Sequence, residues 1–274
     1  MTCRDKPITT VAFLGAGNMA EALVKGVLNA GLFVPSQIRV TDVSAARLAL
    51  FADTYRVGAS SDNRGAVAGA DVVVLAVKPQ VLPELLKEVR DSIPAGALVI
   101  SIAAGIPLSA IEQGLKPGSR VVRVMPNTPA LVGAGAAAFC LGHQASESDA
   151  VLVTSLFQAV GLVVRLEESM MDAVTAVSGS GPAYVFYLAE IMLRAARDLG
   201  LPDTAARSLV AQTLLGAARM LTETGVAPDE LRRRVTSKGG TTAAAIEVLD
   251  AGQVRETWEK ALHAACRRSK ELAR

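Results

Sequence analysis

Val11-Ala12-Phe13-Leu14-Gly15-Ala16-Gly17-Asn18-Met19-Ala20-Glu21 joins a short apolar run of β-formers, a glycine turn and the start of a helix in immediate succession. Val11 to Leu14 predict a buried strand, and Ala22, Leu23, Gly26, Val27 and Ala30 recur at helical spacing until Gly31 stops them. Gly15 supplies the tight bend, Gly17 lets a diphosphate approach the main chain, and Ala20 lets the helix lie close to its strand. A helix start adds open amides and the positive end of a dipole, so Gly15, Ala16, Gly17, Asn18 and Met19 read together as a dinucleotide cradle. The same glycine pattern also serves plain strand-to-helix turns, and the rest of the chain decides between the two.

A chain of 274 residues is long enough for two ordinary domains, each with its own core. Hydrophobic residues make up 51%, aromatics only 4% and charged residues 20%, which describes folded protein packed with small aliphatics and argues against disorder. The net charge of +2 offers no basic face for nucleic acid, and Arg232-Arg233-Arg234 reads as a solvated helix end. Cys3, Cys140 and Cys266 are widely spaced, odd in number and without metal-ligand pairing, as expected of reduced thiols and of a site without metal. The polar start Thr2 to Lys6 lacks the apolar core of a signal peptide, and no apolar run reaches membrane length. The expected compartment is the cytoplasm, with no membrane partner.

Further strands are expected at Ile38 to Thr41, Asp71 to Val77, Ala97 to Ile102, Arg120 to Met125, Ala134 to Cys140 and Gly161 to Leu166, with a helix from Ser146 to Ala159. Their carboxyl-end loops collect glycine, proline and polar groups, and such loops line the ligand crevice of a doubly wound sheet. This makes Val77, Lys78, Pro79, Ala103, Asn127 and Thr128 candidate neighbours of the nicotinamide half. Asp42, at the end of the second strand, stands where the adenosine ribose is inspected. A carboxylate there accepts from both ribose hydroxyls and repels a 2′-phosphate, and Val43 adds no offsetting charge, so the pair tilts the cofactor from NADPH towards NADH. Ser44 and Arg47 keep a phosphate within reach, and the residue types suit Asp42 or Ser44 equally well as the cap of the following helix.

From Met170 onwards the pattern is helical only, at Pro182 to Leu199, Asp203 to Thr224, Thr241 to Leu249 and Arg255 to Leu272. The expected division is a Rossmann-type α/β domain over residues 1–167 and an all-α domain over residues 168–274. Ser178-Gly179-Ser180-Gly181-Pro182 places hydroxyls before a helix, where they bind an anion or simply cap. Tyr184, Phe186, Tyr187, Ile191 and Met192 read as core, and Trp258 as core or subunit interface. Ser237-Lys238-Gly239-Gly240-Thr241-Thr242 opens a helix directly, so its amides make a small carboxylate site without an arginine.

Taken together, Phe13 to Glu21, Ala76 to Gln80, Arg123 to Pro129, Ser178 to Tyr184 and Val235 to Thr242 resemble pyrroline-5-carboxylate reductase, and the resemblance runs through practically the whole chain. Pro228, Leu231, Ala245-Ile246 and Leu249-Asp250 extend the match to that family's carboxyl-terminal signature. The resemblance implies reduction of 1-pyrroline-5-carboxylate to L-proline by hydride from NADPH or NADH. It also implies a homodimer with intertwined α-domains, assembled as a decamer of five dimers. Two positions depart from the family pattern: Asp42-Val43 replaces a Ser, Asn or Arg set that welcomes a 2′-phosphate, and Lys238 stands where proline is common.

A cyclic imine with a carboxylate needs its anion held and its C=N presented to the nicotinamide, so positioning dominates. The amides of Gly240, Thr241 and Thr242 are expected to receive the carboxylate, with the Thr242 hydroxyl near the ring nitrogen and the Ser178 turn closing the pocket. A protonated imine needs no strong general acid, and neither His143 nor His263 has a compelling carboxylate partner. The related β-hydroxyacid dehydrogenases use a lysine on an α-domain helix, whereas no lysine occurs between Lys116 and Lys238.

Overall fold

The structure is a computed structural model and describes residues 8–272; Cys3 and the Thr2 to Lys6 start lie outside the described residues. The chain runs β1 (Val11–Leu14), α1 (Asn18–Asn29), β2 (Ile38–Thr41), α2 (Ala45–Tyr55), β3 (Gly58–Ser60), α3 (Asn63–Val67) and β4 (Val72–Leu75). It continues through α4 (Leu82–Val89), β5 (Leu98–Ser101), α5 (Leu108–Gly114), β6 (Arg120–Met125), β7 (Gly135–Leu141), α6 (Glu147–Gln158) and β8 (Gly161–Arg165). Helices follow: α7 (Met171–Val174), α8 (Gly181–Asp198), α9 (Asp203–Thr224), α10 (Pro228–Arg234), α11 (Thr241–Ala251) and α12 (Val254–Leu272).

The eight strands form one sheet in the order β3-β2-β1-β4-β5-β6-β7-β8. Val11 is in register with Ile38 on one side and Val72 on the other, so the strand order reverses between β1 and β4 and opens a crevice at their carboxyl ends. All pairings are parallel except β6 with β7. The 126–134 connection between those two strands is shorter than the dozen or so residues that a parallel crossover needs, so the chain turns back on itself. Side chains alternate between two cores: Val11, Phe13, Val72, Val74, Leu98 and Ile100 share one, while Ala12, Leu14, Val73, Leu75 and Val99 share the other. Both faces are covered, so these strands read as unbroken apolar runs.

Asp149 fixes the start of α6. It is fully buried, accepts from both the amide and the hydroxyl of Ser146 at 2.9 Å and meets Arg120 at 2.6 Å. Asp149→Ala removes this capping box and strands the Arg120 guanidinium; we expect a loss of about 3 kcal/mol in urea unfolding. A change under about 1 kcal/mol would show the cluster to be dispensable.

Two compact units emerge: residues 8–180 with 265–272, and residues 181–264. The segment after β8 stays with the sheet because Met171, fully buried, belongs to the second core. The end of α12 joins the same unit, the Ser269 hydroxyl donating to Asp172 at 2.6 Å. In the other unit Ala206 and Val210 are buried, and Tyr184 packs edge-to-face on Trp258 with ring centroids 5.8 Å apart. Phe186 and Tyr187, expected in the core, are instead 61% and 64% exposed, as are Val185 and Ile191 to a lesser degree. Apolar residues at consecutive positions surround the helix, and its contacts with α9 and with Trp258 of α12 leave part of that circumference uncovered. Among the described residues no helix is long and apolar enough to cross a membrane.

Candidate active site

The β1–α1 turn is shaped by two glycines with different duties. Gly15 has φ +107°, and a Cβ there would stand 2.6 Å from the Ala76 carbonyl oxygen. The turn cannot slide away, because the Gly15 amide donates to the Thr41 carbonyl at 2.8 Å and the Ala76 amide to that of Leu14 at 2.8 Å. Gly17 precedes α1 with extended backbone and no side-chain cap, and a Cβ on it would meet nothing within 4 Å. The first amides of α1, from Asn18 and Met19, are left for an anion.

Gly15, Gly17, Asp42, Val77 and Lys78 line a single open cleft of about 450 Å³. The remaining candidates of this half flank it. Ala16 is fully buried, and its amide donates to Asp42 Oδ2 at 2.7 Å; Pro79 lies in the turn that leads into α4. Ala103 is buried beyond β5, and Asn127 follows β6. The second oxygen of Asp42 accepts from the Ser44 amide at 2.8 Å, so the carboxylate ties the glycine turn to the end of β2. The α2 cap is Ser44, whose hydroxyl accepts from the Arg47 amide at 3.4 Å. Arg47 turns inward: its Nε donates to the Ala16 carbonyl at 2.5 Å, it pairs with Glu21 at 2.7 Å, and it lies over the Phe51 ring. Tyr55 donates to Glu21 as well, and burial followed by this bond raises its phenol above the usual range. Lys78 is the cation that lines the cleft. Asn63, Val81, Glu84 and Glu88 also line the cleft, and nothing in the sequence marks them as site residues. Val81, Leu85 and Glu88 do carry a helical i, i+4, i+7 spacing, but no β-formers or periodicity announce the short elements that bring Asn63 there.

Asn127 and Ser178 meet although 51 positions separate them. The Asn127 side-chain amide donates to the Ser178 carbonyl at 3.2 Å and the hydroxyl at 3.4 Å, while its oxygen accepts from the Ala136 amide at 2.8 Å. Ser178 sits in a π-helical turn, Thr175–Gly179, closed by the Ser180 amide on the Thr175 carbonyl at 2.8 Å. Such widened turns recur at functional sites.

In the second unit, Ser237, Lys238 and Gly239 lead into α11, with Gly239 at φ +72° and Gly240 as the N-cap without a side-chain cap. The Gly240 amide, expected to face a carboxylate, is used within the turn: it donates to the Ser237 carbonyl at 3.1 Å. The amides at the helix start proper are those of Thr241 and Thr242. Lys238 is exposed, as is His263; His143 is 85% exposed at its side chain and bonds Glu112 at 2.9 Å. Burial pushes the Cys140 thiol up to about 12, which leaves it inert. Among the described residues no group of three or more His, Cys, Asp or Glu is placed to hold a metal ion.

Residues 168–272 match the family described as pyrroline-5-carboxylate reductase dimerisation, and residues 10–105 match the family described as NADP oxidoreductase, coenzyme F420-dependent. A pyrroline-5-carboxylate reductase of Methanosarcina acetivorans is 42% identical over 264 residues, covering 96% of this chain and 98% of the relative. The chain belongs to the pyrroline-5-carboxylate reductase family. A family member from Pseudomonas aeruginosa is 45% identical over 265 residues, 96% of each chain. The solved pyrroline-5-carboxylate reductase of Coxiella burnetii superposes with a TM-score of 0.90 at 42% identity, over 98% of this chain and 100% of that one. The Plasmodium falciparum pyrroline carboxylate reductase, solved with NADP bound, does so with a TM-score of 0.88 at 29% identity, over 97% and 98%. Family membership gives the exposed Phe186 and Tyr187 a setting: they lie on a dimerisation domain, and the chain forms homo-oligomers.

Proposed function

We propose that the chain reduces 1-pyrroline-5-carboxylate to L-proline by hydride from a nicotinamide dinucleotide, with the diphosphate held at the Gly15–Met19 turn and the substrate carboxylate at the start of α11. It is an NAD(P)H-dependent oxidoreductase of proline biosynthesis. The observation that carries the cofactor assignment is the pairing of Gly15, where a Cβ would strike Ala76, with Gly17, where open space adjoins the cleft.

The residues fit a dinucleotide: the amides of Asn18 and Met19 would hold its diphosphate, and Val77, Lys78 and Pro79, with Ala103 and Asn127, stand on the loops beyond β4, β5 and β6. The cofactor supplies the hydride. The chain supplies placement: Thr241 and Thr242 amides take the carboxylate, the Thr242 hydroxyl orients the ring nitrogen, Ser237, Gly239 and Gly240 hold the turn open, and Lys238 adds positive charge. Ser178 is braced by the Asn127 side-chain amide and offers a further hydroxyl to the reaction. An iminium is already electrophilic, so orientation and exclusion of water account for the rate. Purified enzyme given 1-pyrroline-5-carboxylate should oxidise NADH or NADPH in step with proline formed; absence of turnover with both cofactors would overturn the assignment.

NADH is the preferred donor in this proposal, because Asp42 occupies the ribose end and Arg47 is committed to Ala16 and Glu21. We expect kcat/KM for NADH to exceed that for NADPH by about ten-fold or more, and Asp42→Ser to narrow the gap. A strong NADPH preference in the unaltered enzyme would contradict the ribose argument. Five dimers assemble into a decamer in the cytoplasm, where unpaired Cys140 and Cys266 suit a reducing compartment; sedimentation distinguishes a decamer from a dimer.

A further inference from the structure

The cleft continues past Asp42, and α4 forms its wall. Val81, Leu85 and Glu88 share one stripe of that helix, and Val43, fully exposed, borders the same space. Glu88 is held in place from β2. The buried Thr41 hydroxyl donates to Asn63 Oδ1 at 2.6 Å, which forces the Asn63 NH2 towards Glu88, where it donates to Oε2 at 3.1 Å. Among the described residues none donates to the other carboxylate oxygen of Glu88. Arg64, next in the chain to Asn63, gives its Nε to the Glu88 main-chain carbonyl at 3.1 Å and leaves the carboxylate unneutralised. Glu84 is occupied with Lys87 at 2.9 Å. A slot walled by two valines and a leucine, with one fixed acceptor at its rim, suits a flat apolar ring that carries an N–H donor.

We propose that Glu88, positioned through Thr41 and Asn63, reads the 6-amino group of the cofactor's adenine while Val43, Val81 and Leu85 flank the ring. The proposal rests on placing the dinucleotide in this cleft and adds a base-selecting residue to it. A hypoxanthine base carries a carbonyl in place of the amine and sets oxygen against oxygen. In Glu88→Gln the side-chain oxygen keeps its bond from Asn63, so the NH2 faces outward and now suits the carbonyl.

The test is titration calorimetry on the full-length protein with NADH and with reduced nicotinamide hypoxanthine dinucleotide. The unaltered protein should bind NADH about five-fold more tightly, as a single charge-assisted bond at an exposed site allows. Glu88→Gln should reverse the order. Equal affinities in the unaltered protein, or a ratio unmoved by Glu88→Gln, would overturn the assignment. Asp42→Ala separates the two levels: if it weakens NADH binding while Glu88→Gln leaves the ratio unchanged, only the adenine reading fails. If both substitutions are silent, the dinucleotide is not in this cleft.

Discussion

Gly15→Ala should weaken NADH binding by about a hundred-fold or more and lower the melting temperature as well. The added methyl would stand 2.6 Å from the Ala76 carbonyl oxygen and 2.8 Å from its carbon, on a backbone with φ +107° that L side chains rarely adopt. Neither partner can retreat, because the Gly15 amide is bonded to β2 and the Ala76 amide to β1. Relief must come from the turn itself, at a cost of about 3 kcal/mol, and any rotation swings the Asn18 and Met19 amides off the diphosphate. Gly17→Ala is the paired control. Its methyl meets nothing within 4 Å, so melting should be unchanged; with the diphosphate placed as proposed, NADH affinity should still fall, since the methyl would occupy the anion's approach. Equal affinity for NADH in all three proteins would remove the turn from the cofactor site.

Thr242→Ala should lower kcat/KM for 1-pyrroline-5-carboxylate by about a hundred-fold and leave the NADH dissociation constant unchanged. Thr242 is the second residue of α11, and alanine is the better helix former, so the helix start and its amides survive. What disappears is the hydroxyl assigned to the ring nitrogen. Thr241→Ala keeps its amide and should cost only a few-fold. Should Thr242→Ala retain full kcat/KM, the hydroxyl has no part in the reaction; should it weaken NADH equally, α11 serves the cofactor rather than the imine.

The parts legible in the sequence were those whose burial leaves a pattern. β1, β4 and β5 are covered on both faces and read as unbroken apolar runs, and the Gly15–Gly17 turn has a steric cause visible in residue type alone. The long helices α8, α9, α11 and α12 are equally plain from their spacing, whereas the short α7 and α10 carry too few turns to show one. β3 was not: three small residues, Gly58, Ala59 and Ser60, on an edge carry no alternation, and with β3 went α3 and Asn63. The network that fixes Glu88 therefore has no signature in residue type. The reversed β7 follows from the length of a connection rather than from strand composition. Phe186 and Tyr187 were misplaced because an apolar helix face looks the same whether its own chain or a second copy covers it. The Gly240 amide is lost to Ser237 through a turn bond that residue types do not announce.

The most direct test of the two main-chain cradles is a crystal structure of the full-length protein with NADH and L-proline bound. The account predicts the diphosphate on the Asn18 and Met19 amides beside Gly17, and the proline carboxylate on those of Thr241 and Thr242. Proline seated away from the start of α11, or a diphosphate away from the glycine turn, would contradict it.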